Sequence, residues 1–411
     1  MGRAMDAAVH NGRARGQSGP FAWLGHRALA RIDRGIARGA ITVSLPEGGA
    51  PVRLGARAPG PEAVVILHSW RSLWRLATGG SAGWYEAWGA GEWESPDPVA
   101  LFELFTLNRR TLGGTGRAHG LGRWVRRQWH RARRNDRAGA RRNIVEHYDL
   151  GNAFYELWLD PGMTYSSAMF AAPDQSLEAA QRDKLRAILD RTGCGPGDRI
   201  LEIGCGWGSF AEVAARAGAS VHGITLSHEQ KAYAEDRLAR QGLAGDIALT
   251  DYRDVTGTFD GVASIEMVEA VGAEYWRDYL SAIARALKPG GRAAIQYIAI
   301  DDAIYEDYAR NVDFIQRYVF PGGLLLSESR FRAIAEQEGL AWRDHQAFGL
   351  DYAETLRRWR VAFDAAVAAG RLPPQFDRQF VDLWRYYLMY CEGGFRGGAI
   401  HVAQVTLVKE G

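Results

Sequence analysis

The chain is predicted to be an α/β protein with a mostly parallel sheet and helices on both faces, preceded by a smaller α+β domain. Three stretches carry that expectation. Residues 199 to 208 (RILEIGCGWG) form a short apolar run that ends in alternating glycines, as a buried parallel strand does when its loop must let a ligand approach the backbone. Residues 220 to 225 (SVHGIT) read as a second apolar strand, and Ser227-His228-Glu229-Gln230 is a Ser-x-x-Gln capping box opening a helix to about Gln241. Two strand-then-helix units in succession imply parallel pairing through right-handed crossovers.

The other elements follow in order. Ser209 to Ala217 is the first helix. Ile247 to Thr250, Phe259 to Ile265 and Arg292 to Ile300 are further strands, the last two separated by a helix from about Tyr275 to Leu287 that Lys288-Pro289-Gly290-Gly291 terminates. A ligand of such a sheet sits beyond the carboxyl ends of the strands, where Gly204, Thr225, Tyr252 and Glu269 converge. The glycine spacing is G-x-G-x-G, not the G-x-G-x-x-G of dinucleotide sites, and no Gly-Lys-Ser/Thr follows, so phosphate is not the obvious guest. The loop resembles the first motif of S-adenosylmethionine (SAM) methyltransferases. A glycine-rich turn that binds nothing has the same appearance.

At 411 residues the chain exceeds what one core usually serves, so two domains are expected, and 47% hydrophobic with 24% charged residues places both among ordinary globular proteins. Cys194, Cys205 and Cys391 are too scattered for a disulfide framework or a zinc site, which points to a reducing compartment. No run of eighteen apolar residues occurs, and residues 1 to 20, expected to be disordered, lack an apolar export core. Between residues 36 and 110, Ile41 to Val43 and Val64 to Leu67 read as strands, followed by Trp70, Trp74, Trp84, Tyr85, Trp88 and Trp93. These aromatics suit a domain core, and they equally suit an apolar groove for an acyl chain. From Arg117 to Arg142 ten arginines face one acid, Asp136, with Trp124 and Trp129 among them. A solvated linker, a nucleic-acid arm and a patch that lies on anionic lipid all share this composition.

A more specific likeness begins at residues 143 to 155 (NIVEHYDLGNAFY). With Leu159-Asp160-Pro161 and Met163 to Ala168 (MTYSSA), this segment resembles the opening of the catalytic domain in cyclopropane-fatty-acyl-phospholipid synthases and mycolic acid methyltransferases. The likeness continues through LEIGCGWGSF, GITLSHEQ, DYRD, SIEMVEAVG, FPGG, FGLDYAETLRRW and YYLMYCEGGFRGGAIHVAQV, covering residues 140 to 408, while GWYEAWGAGEWESPD resembles the lipid-associated domain of longer members. The resemblance implies a lipid-associated domain over 21 to 115, a basic linker over 116 to 142, and a class I, Rossmann-like SAM methyltransferase domain with a seven-stranded sheet over 143 to 411.

It further implies methyl(ene) transfer from SAM to the cis double bond of an unsaturated acyl chain in a membrane phospholipid. The expected partners are an anionic phospholipid surface and the acyl chain, with no nucleic acid. The expected setting is cytoplasmic and peripheral, on the inner face of the membrane, with a homodimer left open. Tyr165, Ser166, Glu202, Gly204, Gly206, Thr225, Leu226, Ser227, Gln230, Asp251 and Tyr252 are the residues that would hold SAM, and no metal is implied. Read without the family, Thr225 to Gln230 merely cap a helix.

In ring-forming members the cation left by methyl transfer gives a proton to a bicarbonate held by a Cys-associated loop, a Glu, a His and a Tyr. Glu269 and Tyr352 match that set, with Ile265 beside it. Ser167 stands for the loop cysteine, Ala270 for the histidine after the glutamate, and Gln296 for the histidine of the fifth strand. Gln donates a hydrogen bond but carries no charge, which weakens the case for bicarbonate. Ring closure, a methyl-branched alkene and a non-catalytic lipid-binding protein are the outcomes to separate. A small-molecule or nucleic-acid methyltransferase fits less well, since SIEMVEAVG replaces the Asn/Asp-Pro-Pro-Tyr/Phe motif used on exocyclic amines.

Overall fold

The computed structural model describes residues 20–113 and 150–410; the basic segment 116–142 and residues 1–19 of the expected disordered start lie outside them. The amino-terminal part is helix α1 (Pro20–Gly35), strands β1 (Ala40–Ser44), β2 (Val52–Gly55) and β3 (Glu62–Leu67), helix α2 (Arg71–Gly89), strand β4 (Trp93–Glu94) and helix α3 (Pro98–Leu107). Its sheet runs β2-β1-β3-β4, with β1 parallel to β3 and the two outer pairings antiparallel. Most of the aromatic cluster is core. Trp84 and Trp93 stack at 4.3 Å and the Trp93 indole donates to the Trp84 carbonyl at 2.9 Å, whereas Trp74 stays 54% exposed.

The catalytic part holds helices α4 (Leu177–Thr192), α5 (Ser209–Arg216), α6 (His228–Arg240) and α7 (Trp276–Ala286). Between and beyond them run strands β5 (Arg199–Ile203), β6 (Ser220–Thr225), β7 (Asp246–Leu249), β8 (Phe259–Ile265) and β9 (Leu287–Ile300). Helix α8 (Glu328–Gln337), β10 (Leu340–Ala347), α9 (Gly349–Ala368), α10 (Arg378–Arg396) and β11 (Ile400–Lys409) complete it. The seven strands lie in the order β10-β11-β9-β8-β5-β6-β7, parallel except for β11, which is antiparallel to both neighbours. Strand β5 is apolar because it is central: Ile200 and Leu201 are fully buried.

Two local expectations shift. Lys288-Pro289-Gly290-Gly291 does not simply stop a helix: Leu287 already pairs with Phe259, and the four residues bulge outward before Arg292 rejoins opposite Gly261. Only half of the capping box forms. Ser227 Oγ accepts from the Gln230 N–H at 3.3 Å, but the Gln230 side chain accepts from the Thr225 hydroxyl at 2.8 Å instead of turning back to the cap.

The two parts share one core. Helix α10 lies directly on α3, and a Cβ at Gly393 or Gly397 would meet Phe102 or Thr106 at 2.5 and 2.6 Å, so the glycine run near its end is what lets the backbones approach. Phe102 and Tyr85 meet Tyr386 edge-on at 5.2 and 5.0 Å. Among the described residues no helix is long and apolar enough to cross a membrane.

Candidate active site

Two cavities meet at a shared wall. The first is a cleft at the carboxyl ends of β5 to β8, lined by Gly204, Gly206, Thr225, Leu226, Gln230, Asp251, Tyr252 and Ile265. Its loop geometry requires glycine. Gly204 has φ +82° and a Cβ there would strike Met267 at 2.7 Å, while Gly206, at φ +50°, faces open space into which a ligand fits. At the far end the Asp251 carboxylate takes two 2.8 Å bonds from Arg253, whose guanidinium lies 5.2 Å over the Tyr252 ring. A cleft with apolar walls, a carboxylate and a buried amide at Gln230 suits an adenosyl group carrying an amino acid tail.

The second cavity, about 230 Å³, is apolar and aromatic, with Tyr165, Ile298, Phe320, Leu356, Tyr387 and Phe395 on its walls. Thr106 and Arg109 from the amino-terminal part reach it as well. Its wall toward the cleft is Glu266 and Ala270, which line both spaces.

Glu266 is the hub. It follows β8 at φ +51°, a left-handed conformation that strains a side-chain-bearing residue. Its Oε1 accepts from the Ser167 N–H at 2.9 Å and from Gln296 Nε2 at 2.7 Å, and its Oε2 accepts from the Tyr352 hydroxyl at 2.8 Å. Ser167 contributes its backbone, since its own hydroxyl is spent on the Ala168 carbonyl at 2.9 Å. Burial pushes the Glu266 carboxyl up, and the Ser167 N–H, Lys184, Gln296 and Tyr352 pull it back. Burial holds the Tyr352 phenol far above its usual range, so it remains a donor. Lys184 is completely buried, donates to Ser166 Oγ at 2.6 Å, and is pushed down to about 8 by burial against the opposing pull of Glu266, Asp160 and Glu202.

Glu269, expected with Tyr352 in the anion-holding set, lines the same pocket as Tyr352 and Glu266, but the Tyr352 hydroxyl bonds to Glu266. One Glu269 oxygen accepts from the Ile298 N–H and the other is buried without a partner, while burial and the charge of Glu266 raise its carboxyl to about 8. The structure thus brings Tyr352, Gln296, Ser167 and Ile265 together around Glu266, not Glu269. Of the residues expected at SAM, Tyr165, Ser166, Glu202 and Ser227 fall outside the cleft lining. Tyr165 faces the apolar pocket and bonds the Tyr387 hydroxyl at 2.9 Å, and Ser166 is held beneath by Lys184. Glu202 is buried and raised to about 8, and Ser227 caps α6. Metal-type donors gather away from both linings: among the described residues Glu328 accepts from His345 and His401 at 3.0 and 3.2 Å.

Residues 135–405 match the family model described as mycolic acid cyclopropane synthetase. The chain belongs to this family. The tuberculostearic acid methyltransferase UfaA1 of Mycobacterium tuberculosis is 38% identical over 353 residues, covering 82% of this chain and 81% of the relative. The cyclopropane-fatty-acyl-phospholipid synthase of Escherichia coli (strain K12) is 37% identical over 266 residues, 64% of this chain and 67% of the relative. The crystal structure of mycolic acid cyclopropane synthase CmaA1 complexed with SAH and CTAB superposes with a TM-score of 0.62 at 30% identity, over 66% of this chain and 98% of that one. The protein is accordingly a SAM-dependent C-methyltransferase of the cyclopropane-synthase type that acts on lipid acyl chains, with the class I fold expected from its sequence.

Glu266 is the residue at the centre of the site that sequence reasoning passed over. Its signal was present: an acid at the first position after an apolar strand, at the sheet end where ligands collect. Family correspondence drew attention to the acid three residues later. Lys184 left only a weaker trace, one cation in an ordinary amphipathic helix.

Proposed function

We propose that this enzyme methylates the cis double bond of an unsaturated phospholipid acyl chain and ends in a methyl-branched alkene, with Glu266 as the base. One observation carries the reading: the Ser167 N–H, Gln296 and Tyr352 all donate to the Glu266 carboxylate. The resemblance assigns the matching loop, strand and tyrosine positions to bicarbonate in ring-forming relatives, so here a carboxylate of the chain itself takes the anion's place. The name of the tuberculostearic acid relative adds support for methyl transfer to a fatty acid.

SAM, when bound, supplies a strongly electrophilic methyl group. The chain's residues do the rest. The aromatic pocket holds the alkene against the cleft and excludes water, and its ring faces together with the Glu266 carboxylate stabilise positive charge on the acyl chain. With that methyl transferred, one new C–C bond would replace the methyl–sulfur bond and leave the neighbouring acyl carbon cationic. An adjacent C–H bond then gives its electron pair to a new double bond and its proton to Glu266, whose proton affinity burial raises. Approach to an anionic membrane surface is supported by the arginines of residues 117 to 142. Vesicle binding should then weaken steeply with salt, and salt-independent binding would remove that part of the reading.

Fatty acid methyl esters from cells expressing the protein test the product. A methyl-branched alkene gains one CH2 and takes up one equivalent of hydrogen under mild hydrogenation. A product that gains CH2 and resists mild hydrogenation would be a cyclopropane, and would overturn the branched reading.

A further inference from the structure

Gln296 reaches Glu266 only if its amide nitrogen, not its oxygen, points at the carboxylate. An amide turned the other way would set oxygen against oxygen. On the site side the nitrogen also donates to the Ser167 carbonyl at 3.3 Å, and the oxygen is held from across the sheet. Gln346 on β10, Gln404 on β11 and Gln296 on β9 are directly opposed in register, and Gln296 in turn opposes Ile265, the residue before Glu266. Gln404 and Gln296 are both completely buried. Arg191, in the last turn of α4, donates from Nε to Gln404 Oε1 at 3.1 Å, from Nη2 to Gln346 Oε1 at 3.0 Å, and from Nη1 to the Asp344 carbonyl at the β10 bulge. Gln404 Nε2 then donates to Gln296 Oε1 at 3.0 Å.

A guanidinium has donors and no acceptor. Facing Arg191, Gln404 must present its oxygen, so its nitrogen faces Gln296; Gln296 must answer with its oxygen, so its nitrogen faces Glu266. Each step has one solution. We propose that Gln404 and Arg191 are positioning residues for the catalytic carboxylate, fixing the polarity of Gln296 through a one-way chain of donors that starts at a guanidinium near the surface. The proposal rests on Glu266 being the base. Within the chain only the last amide touches Glu266, so losing the outer members should change the carboxylate's proton affinity and turnover while sparing SAM binding.

The test is turnover of the full-length enzyme on unsaturated phospholipid vesicles, as a function of pH, for Gln404→Met, Gln404→Glu, Arg191→Met and Glu266→Gln, with SAM affinity measured alongside. Gln404→Met leaves Gln296 without its orienting donor and should lower turnover about tenfold, with the rising limb of the pH profile displaced upward. Gln404→Glu keeps the bond to Arg191 but can only accept from Gln296. It should turn the amide over and cost more than Gln404→Met, about 100-fold. A merely structural role predicts the reverse order, because the carboxylate keeps an acceptor for the Arg191 guanidinium, a bond that Met loses.

Arg191→Met alters a partly exposed side chain, keeps the buried glutamines, and should give a smaller fall with the same displaced limb. It is the variant to read should the Gln404 variants fold poorly. Unchanged pH limbs, or Gln404→Glu milder than Gln404→Met, with Glu266→Gln inactive would overturn the relay and leave the base standing. Full activity in Glu266→Gln would overturn the base and the relay together.

Discussion

The cofactor cleft and the acyl pocket share a wall yet are assembled in opposite ways. Every cleft residue comes from residues 203 to 271, at the ends of successive parallel strands, and the glycine loop that shapes it is a local feature of the chain. The pocket draws on Thr106 and Arg109 of the amino-terminal part, on β9, and on α9 and α10, segments that approach only after the whole molecule has packed. The difference teaches that cofactor binding here is a property of a motif, whereas substrate handling is a property of the fold. Glu266 belongs to both, and variants around it can pull the two apart.

The largest effect is expected at the shared wall. Glu266→Gln should lower turnover by about 10²- to 10⁴-fold, the usual worth of a positioned base, with SAM affinity by calorimetry unchanged. A parallel loss of SAM affinity would break the separation between the two cavities. Gly206→Val should act on the cleft alone, because a branched side chain at φ +50° is strained and projects into the ligand's space. SAM affinity should fall by more than about tenfold, with lipid binding retained, and undiminished SAM affinity would remove the loop from the site.

A smaller, opposite change sharpens the pocket side. Leu356, nearly fully buried in the pocket wall, replaced by Phe should shift relative rates among acyl chains several-fold, the scale of small volume changes in apolar sites, with SAM affinity unaltered. The mildest prediction concerns Glu269. Its folded carboxyl is raised from 4.5 to about 8, so the folded state holds a proton that the unfolded chain has lost. The stability this supplies is complete below the unfolded value and disappears as pH rises through about 8. Melting temperature measured across that window should fall less in Glu269→Gln than in the wild type, and identical slopes would place the proton elsewhere.

These contrasts track what could be read from the sequence. The strands at Ser220 to Thr225 and Phe259 to Ile265 were legible to the residue because burial on both faces of the sheet favours mostly apolar runs. The glycines at 204 and 206 were legible because their backbone angles admit little else. Glu266 was hidden by Glu269 three positions on, since an acid's partners are decided by which strands lie beside it. Gln404 was hidden more deeply: in sequence it is one polar residue in an apolar strand, and its meaning depends on register with Gln296 across the sheet. Residues 117 to 142 announced their charge and nothing of their shape.

The central claim is that the chain supplies its own anion, and bicarbonate dependence tests it most directly. Wild-type turnover should be the same in bicarbonate-free buffer as with bicarbonate added. Glu266→Gly relieves the strained φ and leaves the Ser167 N–H, Gln296 and Tyr352 facing an empty space, so it should lose turnover and regain part of it with added bicarbonate. A wild-type enzyme that stops without bicarbonate, beside a Glu266→Gly variant as active as the parent, would contradict the account.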